Sequence, residues 1–180
     1  MIDLDVLLFH WLNRGTIHPW LDRLMPIVTS WTSWSVAIGA GVIYLLAVRG
    51  DRGRRAVLAM VLAVALGDSA AAHVLKPAFH RLRPCHAAID ARVVTRCGGR
   101  YGFPSNHATN GAAASAALGT FYPVTLAITV PAALLVGWSR VYLGVHYPGD
   151  VAAGFLFGAF TGILVAVVIR RQGPRRLPES

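Results

Sequence analysis

Long apolar runs constrain this chain more than any other feature. Residues 33–48, 54–75, 107–121, 123–145 and 151–169 are each dominated by Ala, Val, Leu, Ile, Gly and aromatic residues. At about 1.5 Å of rise per residue, such runs approach or exceed the ~30 Å hydrocarbon core of a bilayer, the shortest needing tilt or local thinning. A backbone surrounded by lipid must satisfy its own hydrogen bonds, so the runs have to be helices. The mixed stretch 17–31, where Asp22 and Arg23 stand beside Leu, Met and Ile, predicts a further short or tilted span. The expectation is therefore an all-α, polytopic membrane helix bundle with about six transmembrane helices, five from the long runs. Residues 3–13 read as an amphipathic helix lying at the interface. They carry no basic leader or small-residue cleavage site, so they do not read as a secretory signal.

Composition agrees with this class. The chain is 55% hydrophobic and 14% charged, with a mean hydropathy of +0.53, whereas soluble domains carry about a quarter charged residues. Nothing resembling a linker divides residues 1–180, which read as a single integral-membrane domain. A formal charge of +9 raises the question of nucleic acid, but the basic residues form no stripe and sit at the ends of apolar runs, where membrane proteins put them. Nucleic acid is thereby excluded as a partner, and membrane lipids are expected in its place. Arg49, Arg52, Arg54 and Arg55 follow one run, and Arg170, Arg171, Arg175 and Arg176 follow the last, within a basic tail at 171–180. The positive-inside rule places both clusters in the cytoplasm. Counting helices between them puts the 76–106 loop and the 146–150 turn together on the outer face.

Three polar islands lie beside the outward ends of the runs. Lys76, Arg83 and Pro84 form the first, Pro104, Ser105, Asn106 and His107 the second, and Ser139, Arg140, His146 and Asp150 the third. Lys76, Arg83 and Arg140 offer three positive charges. Arg140 lies inside an apolar run, where an arginine costs about 2.5–3.5 kcal/mol on insertion scales and points to function. Lys76 is the only lysine among 17 basic residues, which suits a compact ammonium acting as a point charge on phosphate oxygens. Ser105 and Asn106 stand at the start of a helix, where free N–H groups and the macrodipole favour anions. His146 and Asp150 are four residues apart, a spacing that lets a carboxylate fix the tautomer of a nucleophilic imidazole. Asp150 could equally cap the helix starting at Val151, and Ser105 could be a simple cap. No cluster has convincing spacing for a metal, so neither metal nor other cofactor is expected. Asp68, inside a run, needs a partner that the sequence does not name.

The order Lys-x6-Arg-Pro, Pro-Ser-x-His, Ser-Arg-x5-His-x3-Asp resembles the three-part signature of the type 2 phosphatidic acid phosphatase family. The resemblance covers roughly residues 54–170 and departs at Asn106, where the family usually has Gly. Asn is among the residues that best tolerate the left-handed region that Gly allows. The resemblance implies a lipid phosphate or diphosphate phosphatase. In it His146 is the nucleophile, forming a phosphohistidine, Asp150 orients His146, and His107 protonates the leaving group. Lys76, Arg83, Ser105, Asn106 and Arg140 would bind the phosphate, with Pro84, Pro104 and Ser139 in support.

An isoprenoid diphosphate such as undecaprenyl diphosphate, at the outer face of a bacterial inner membrane, leads the expected substrates. Phosphatidylglycerophosphate, phosphatidate and lipid A 1-phosphate are alternatives, and no required protein partner is evident. A transporter or flippase for anionic lipids is the rival class, opposed by the absence of a repeat between the halves. A haloperoxidase-like vanadate binder is opposed by the apolar composition. Cys85 and Cys97, the only cysteines, share the outward loop, where a disulfide would persist. Whether they pair depends on a distance that sequence does not give.

Overall fold

The computed structural model describes residues 3–172. The basic tail expected at 171–180, with Arg175 and Arg176, lies outside the described residues beyond Gln172. Among the described residues every regular element is helical, and one isolated bridge joins Leu82 and Tyr101 in the long loop.

Helix α1 (Leu4–Arg14) starts from Asp3, whose carboxylate accepts the Asp5 amide, and buries Phe9 and Asn13. Helix α2 (Pro19–Thr29) follows, then α3 (Trp31–Val48), α4 (Gly50–Ala70), a π turn (Ala71–Leu75) and the short α5 (Lys76–Phe79). The α3–α4 turn is tight enough to need Gly50 at φ +57°, a region that costs glycine little. After the loop come α6 (Asn106–Phe121), α7 (Leu126–Tyr142) and α8 (Pro148–Arg171).

The expected six spans are corrected to four among the described residues. Trp31–Val48, Gly50–Phe79, Pro123–Tyr142 and Pro148–Arg171 are long and apolar enough to cross a membrane. The 17–31 stretch gives a helix of only 11 residues, containing Pro26 and starting at Pro19. The 107–121 run gives α6, 16 residues long, or about 24 Å at 1.5 Å per residue. It is stopped by Tyr122–Pro123. Hydropathy mistook this helix for a span because it is apolar, yet α4, α7 and α8 pack around it. Its surroundings are largely protein rather than lipid.

Small residues make that enclosure possible. Lipid provides no hydrophobic drive between helices, so close backbone approach and dispersion contacts hold them together. Gly154, Gly158 and Gly162 place a bare stripe of α8 against α6. A Cβ on them would stand 2.7, 2.1 and 2.5 Å from the carbonyl oxygens of Ser105, Thr109 and Ala113. Ala56, Ala59 and Ala63 of α4 meet Ala113 and Ala117 of α6 and Ala166 of α8 in one fully buried cluster. Val36, Ile128 and Leu156 point outward, each at least three-quarters exposed, as lipid-facing residues should.

This packing also sets the two ends of the bundle. Arg52 donates to the Phe121 carbonyl, Arg49 and Arg52 lie over the Tyr122 ring, and Arg170 donates to the Thr120 carbonyl. The α3–α4 turn and the C-termini of α6 and α8 thus form a basic end. The end of α5, the start of α6, the end of α7 and the start of α8 form the other.

Candidate active site

The 80–105 loop brings two arginines over that second end. His80 turns the chain at φ 49°. Backbone bonds from Gly102 to Arg81 (2.8 Å) and from Arg83 to Arg100 (3.1 Å) then fold the loop back on itself. Cys85 and Cys97 are joined by a disulfide with their Cα atoms 6.0 Å apart. The nearest thing to a metal-ligand cluster among the described residues, Cys85, His86 and Cys97, therefore has both sulfurs engaged.

His146 sits in the turn between α7 and α8 and is 1% exposed. Its Nδ1 faces Asp150 Oδ2 at 3.3 Å, and its Nε2 lies 2.6 Å from Arg83 Nη1. A guanidinium can only donate, so Nε2 is the acceptor and the ring proton belongs on Nδ1, toward the carboxylate. Burial first, then the Arg83, Arg140 and Lys76 cations, hold this imidazole well below its ordinary pKa. The result is a neutral ring with its Nε2 lone pair on the cationic side, the form a nucleophilic histidine requires.

Asp150 is fully buried and serves two purposes. Helix α8 begins at Pro148, and the Asp150 carboxylate reaches back to accept the Tyr147 amide at 3.1 Å as well as facing His146. Capping and orienting are one arrangement. Its other oxygen accepts from Arg81 Nη1 at 3.0 Å. Arg81 also donates to Asp5 of α1 and lies 4.3 Å over the Tyr147 ring. Burial opposes the Arg81 charge, but Asp5 and Asp150 outweigh it and raise its pKa.

The phosphate-binding candidates surround His146. Arg83 reaches it from the loop, further held by the Gly99 and Val145 carbonyls at 2.7 and 3.1 Å. Lys76 donates to the carbonyls of Pro104 and Gly102, so it braces the segment entering α6. Ser105 is fully buried, and its amide donates to the Asp150 carbonyl at 3.0 Å. The Ser105 hydroxyl makes no helix-capping bond and is a buried oxygen without a partner. Arg140 is anchored by Nη1 to Thr29 Oγ1 at 2.8 Å, while its Nε is likewise unpartnered. Buried polar groups normally find partners; a hydroxyl and a guanidinium N–H left open suit an anion acceptor.

Other predicted positions take different places. The Asn106 amide donates to Asp68 Oδ1 at 2.8 Å, as does Asn110. Asn106 thus supplies the partner that Asp68 lacked, and only its backbone N–H is left to offer a phosphate. His107 follows in the first turn of α6. The Ser139 hydroxyl bonds within α7 to Val136 O at 2.6 Å. Pro84 and Pro104 are fully buried packing residues.

Sequence reasoning missed Asp5, Arg81, Thr29 and Asn110. Arg81 occupies an unspecified position of the first motif, and Asp5 is one charge on an amphipathic helix far along the chain. Only Asn110, four residues after Asn106, carried a readable signal, since the pair shares a helix face with reach to one acceptor.

Comparison with known proteins matches this chain to a family. The family model described as PAP2 superfamily matches residues 54–174. A lipid A 4'-phosphatase of Bacteroides thetaiotaomicron is 34% identical, over 97% of this chain and 80% of its own. An undecaprenyl-diphosphatase of Sulfolobus acidocaldarius is 31% identical, over 96% of this chain and 82% of its own. The crystal structure of a transmembrane PAP2-type phosphatidylglycerolphosphate phosphatase from Bacillus subtilis superposes with a TM-score of 0.72 at 26% identity, covering 96% of this chain and 87% of that one. The chain belongs to the PAP2 superfamily and is a membrane phosphatase of that family.

Proposed function

We propose that the protein hydrolyses lipid phosphates through a phosphohistidine on His146. The observation that carries this reading is the placement of His146 between Asp150 on Nδ1 and Arg83 on Nε2. A phosphate entering beside Nε2 would meet Arg83, Arg140, the Ser105 hydroxyl and the first N–H groups of α6. Phosphoryl transfer needs little beyond a positioned nucleophile and stabilised charge. Nε2 attacks phosphorus, the N–P bond forms as the P–O bond to the lipid breaks, and His107 protonates the departing oxygen. Water, giving up its proton to His107, then attacks phosphorus, breaks the N–P bond and releases inorganic phosphate.

The proposed substrate is an isoprenoid diphosphate, in keeping with the similarity to an undecaprenyl-diphosphatase. A lipid A phosphate is the second reading, favoured by the similarity to a lipid A 4'-phosphatase along nearly the whole chain. The active site is proposed to face the outside of a bacterial plasma membrane. Arg49, Arg52 and Arg170 gather at the opposite end of the bundle, as the positive-inside rule expects, and the disulfide suits an oxidising compartment.

Phosphate release from purified protein against undecaprenyl diphosphate, lipid A and phosphatidylglycerophosphate tests the substrate. Trapping with 32P-labelled substrate tests the intermediate, since phosphohistidine is stable to base and labile to acid. No release from any lipid, or no base-stable label on the wild-type protein, would refute the respective part.

A further inference from the structure

We propose that Asp5 and Arg81 are positioning residues that hold Asp150, and through it His146, for attack. This inference rests on the phosphohistidine reading above. Neither residue belongs to the ten specified motif positions, and Asp5 precedes the segment matched by the family model.

The geometry is a closed clamp. Asp150 is fully buried. Oδ2 serves His146 and the Tyr147 amide, while Oδ1 is taken by Arg81 Nη1 at 3.0 Å. Arg81 is therefore the cation in direct contact with this buried carboxylate, which needs one. The Nη2 of Arg81 turns the other way and pairs with Asp5 Oδ2. Asp5 Oδ1 in turn accepts the backbone N–H of Gly149, at 2.7 Å, one residue before Asp150. The circuit runs from α1 through the loop to the start of α8 and back to α1.

Two observations separate this clamp from a surface ion pair. The Asp5 and Arg81 side chains are only 19% and 29% exposed, whereas the other acid–base pair of α1, Arg14 with Asp90, is 45% and 82% exposed. The Asp5–Arg81 pair also lies directly against the backbone next to Asp150, since a Cβ on Gly149 would stand 2.6 Å from Asp5 Oδ2 and 3.3 Å from Arg81 Nη1. Arg81 is not a phosphate ligand in this arrangement. Both ends of its guanidinium are committed to carboxylates, and its face lies on Tyr147.

A group that acts through Asp150 without touching substrate should change kcat and leave KM nearly alone. Losing the partner behind a metal-ligating residue typically costs about ten-fold or more, and a loss of the same order is expected for the partner behind Asp150. The test is steady-state and single-turnover kinetics of the full-length protein in detergent, on a lipid phosphate that the wild type hydrolyses. The variants are Asp5→Asn, Arg81→Gln, Arg81→Lys and the double Asp5→Asn/Arg81→Gln, with Arg14→Ala as the control that breaks the exposed pair of the same helix.

The expected result is about ten-fold lower kcat for Asp5→Asn with KM within two-fold, and slower labelling of His146. Arg81→Lys stays slow, because a single ammonium cannot bridge two carboxylates as a planar fork does. The double variant is no slower than Arg81→Gln alone, as coupled residues require, and Arg14→Ala matches wild type. Wild-type kcat in Asp5→Asn, full recovery in Arg81→Lys, or independent multiplication in the double variant overturns the clamp. An equal loss in Arg14→Ala overturns it too, by showing that docking of α1 is all that matters. Thermal unfolding of each variant is followed in parallel. Should Arg81→Gln not fold, Asp5→Asn and Arg81→Lys, which change least, decide. If the wild type itself takes no base-stable label, the phosphohistidine reading has failed; if only the variants behave like wild type, the clamp alone has.

Discussion

Arg83 Nη1 lies 2.6 Å from His146 Nε2, so the cation proposed to bind phosphate rests on the atom proposed to attack phosphorus. The contact keeps the lone pair in place and, with burial and the other cations, keeps the ring unprotonated. In the proposed reaction a substrate phosphate would exchange one partner for another, with Arg83 moving to a phosphate oxygen and Nε2 released to attack.

That arrangement predicts a pH effect. A histidine whose folded pKa lies below its unfolded 6.5 binds fewer protons when folded. Its contribution to stability is therefore intact above that value and is lost as pH falls toward the folded pKa. Activity on the acid side should follow the same group. Arg83→Gln removes one of the charges, alongside Arg140 and Lys76, that disfavour a proton on His146. The ratio of wild-type to variant kcat/KM should thus rise as pH falls from 7 to 5 (about a ten-fold change for one pKa unit). A ratio independent of pH would show that Arg83 does not tune His146.

His146→Ala should abolish turnover in a folded protein. His107→Ala should be severe on alkyl phosphates and milder on aryl phosphates, whose leaving oxygen needs less help. The difference is expected to be at least ten-fold; equal losses on both substrates would remove His107 from the general-acid role.

Lys76→Arg keeps the charge yet should lower kcat by about ten-fold or more. Lys76 places one ammonium against the Pro104 and Gly102 carbonyls, a point geometry that a longer planar fork cannot copy. Wild-type kinetics would show that charge alone suffices there.

Reduction, or the double substitution Cys85→Ala/Cys97→Ala, should cost about 3 kcal/mol of stability for a loop of this size. Thermal unfolding with and without reductant measures it. Activity should fall as well, because the bridged loop carries Arg83.

Asn106→Gly, the substitution toward the residue usual in the family, should lower stability by about 1–2 kcal/mol without raising kcat. It removes one of two amides from the half-buried Asp68, and Asn110 cannot replace both. Denaturant unfolding of the two proteins decides the point.

Much of this was legible in residue order. Four apolar runs become four membrane-length helices because lipid leaves a backbone little alternative. The three polar islands meet because they occupy helix ends on one side of the bundle. What was not legible depends on neighbours rather than on composition. The apolar residues of α6 read like those of a span, but their partners are the alanines and glycines of α4 and α8. Asp5 and Asp150 are far apart in the chain, and only the packing of α1 makes Arg81 common to both. Asn106 looked like a lapse from the family pattern. Its meaning appears only when Asp68, on another helix, is seen to need a donor.

The π turn at Ala71–Leu75 adds one residue to a helix that is otherwise regular, marked by the Lys76 amide donating to the Ala71 carbonyl. Each residue of an α-helix advances the azimuth by about 100°, so this single extra residue decides which way Lys76 faces. Upstream of it, Ala56, Ala59 and Ala63 are phased to meet α6 and α8. Downstream, the phase is reset toward the Gly102–Pro104 backbone. Deleting one residue from 71–75 would swing the ammonium round the barrel of the helix, away from the cleft, while leaving every apolar residue before it where it stands. The packed alanine face and the candidate site are thus two registers of one rod, and the wide turn is where they change over.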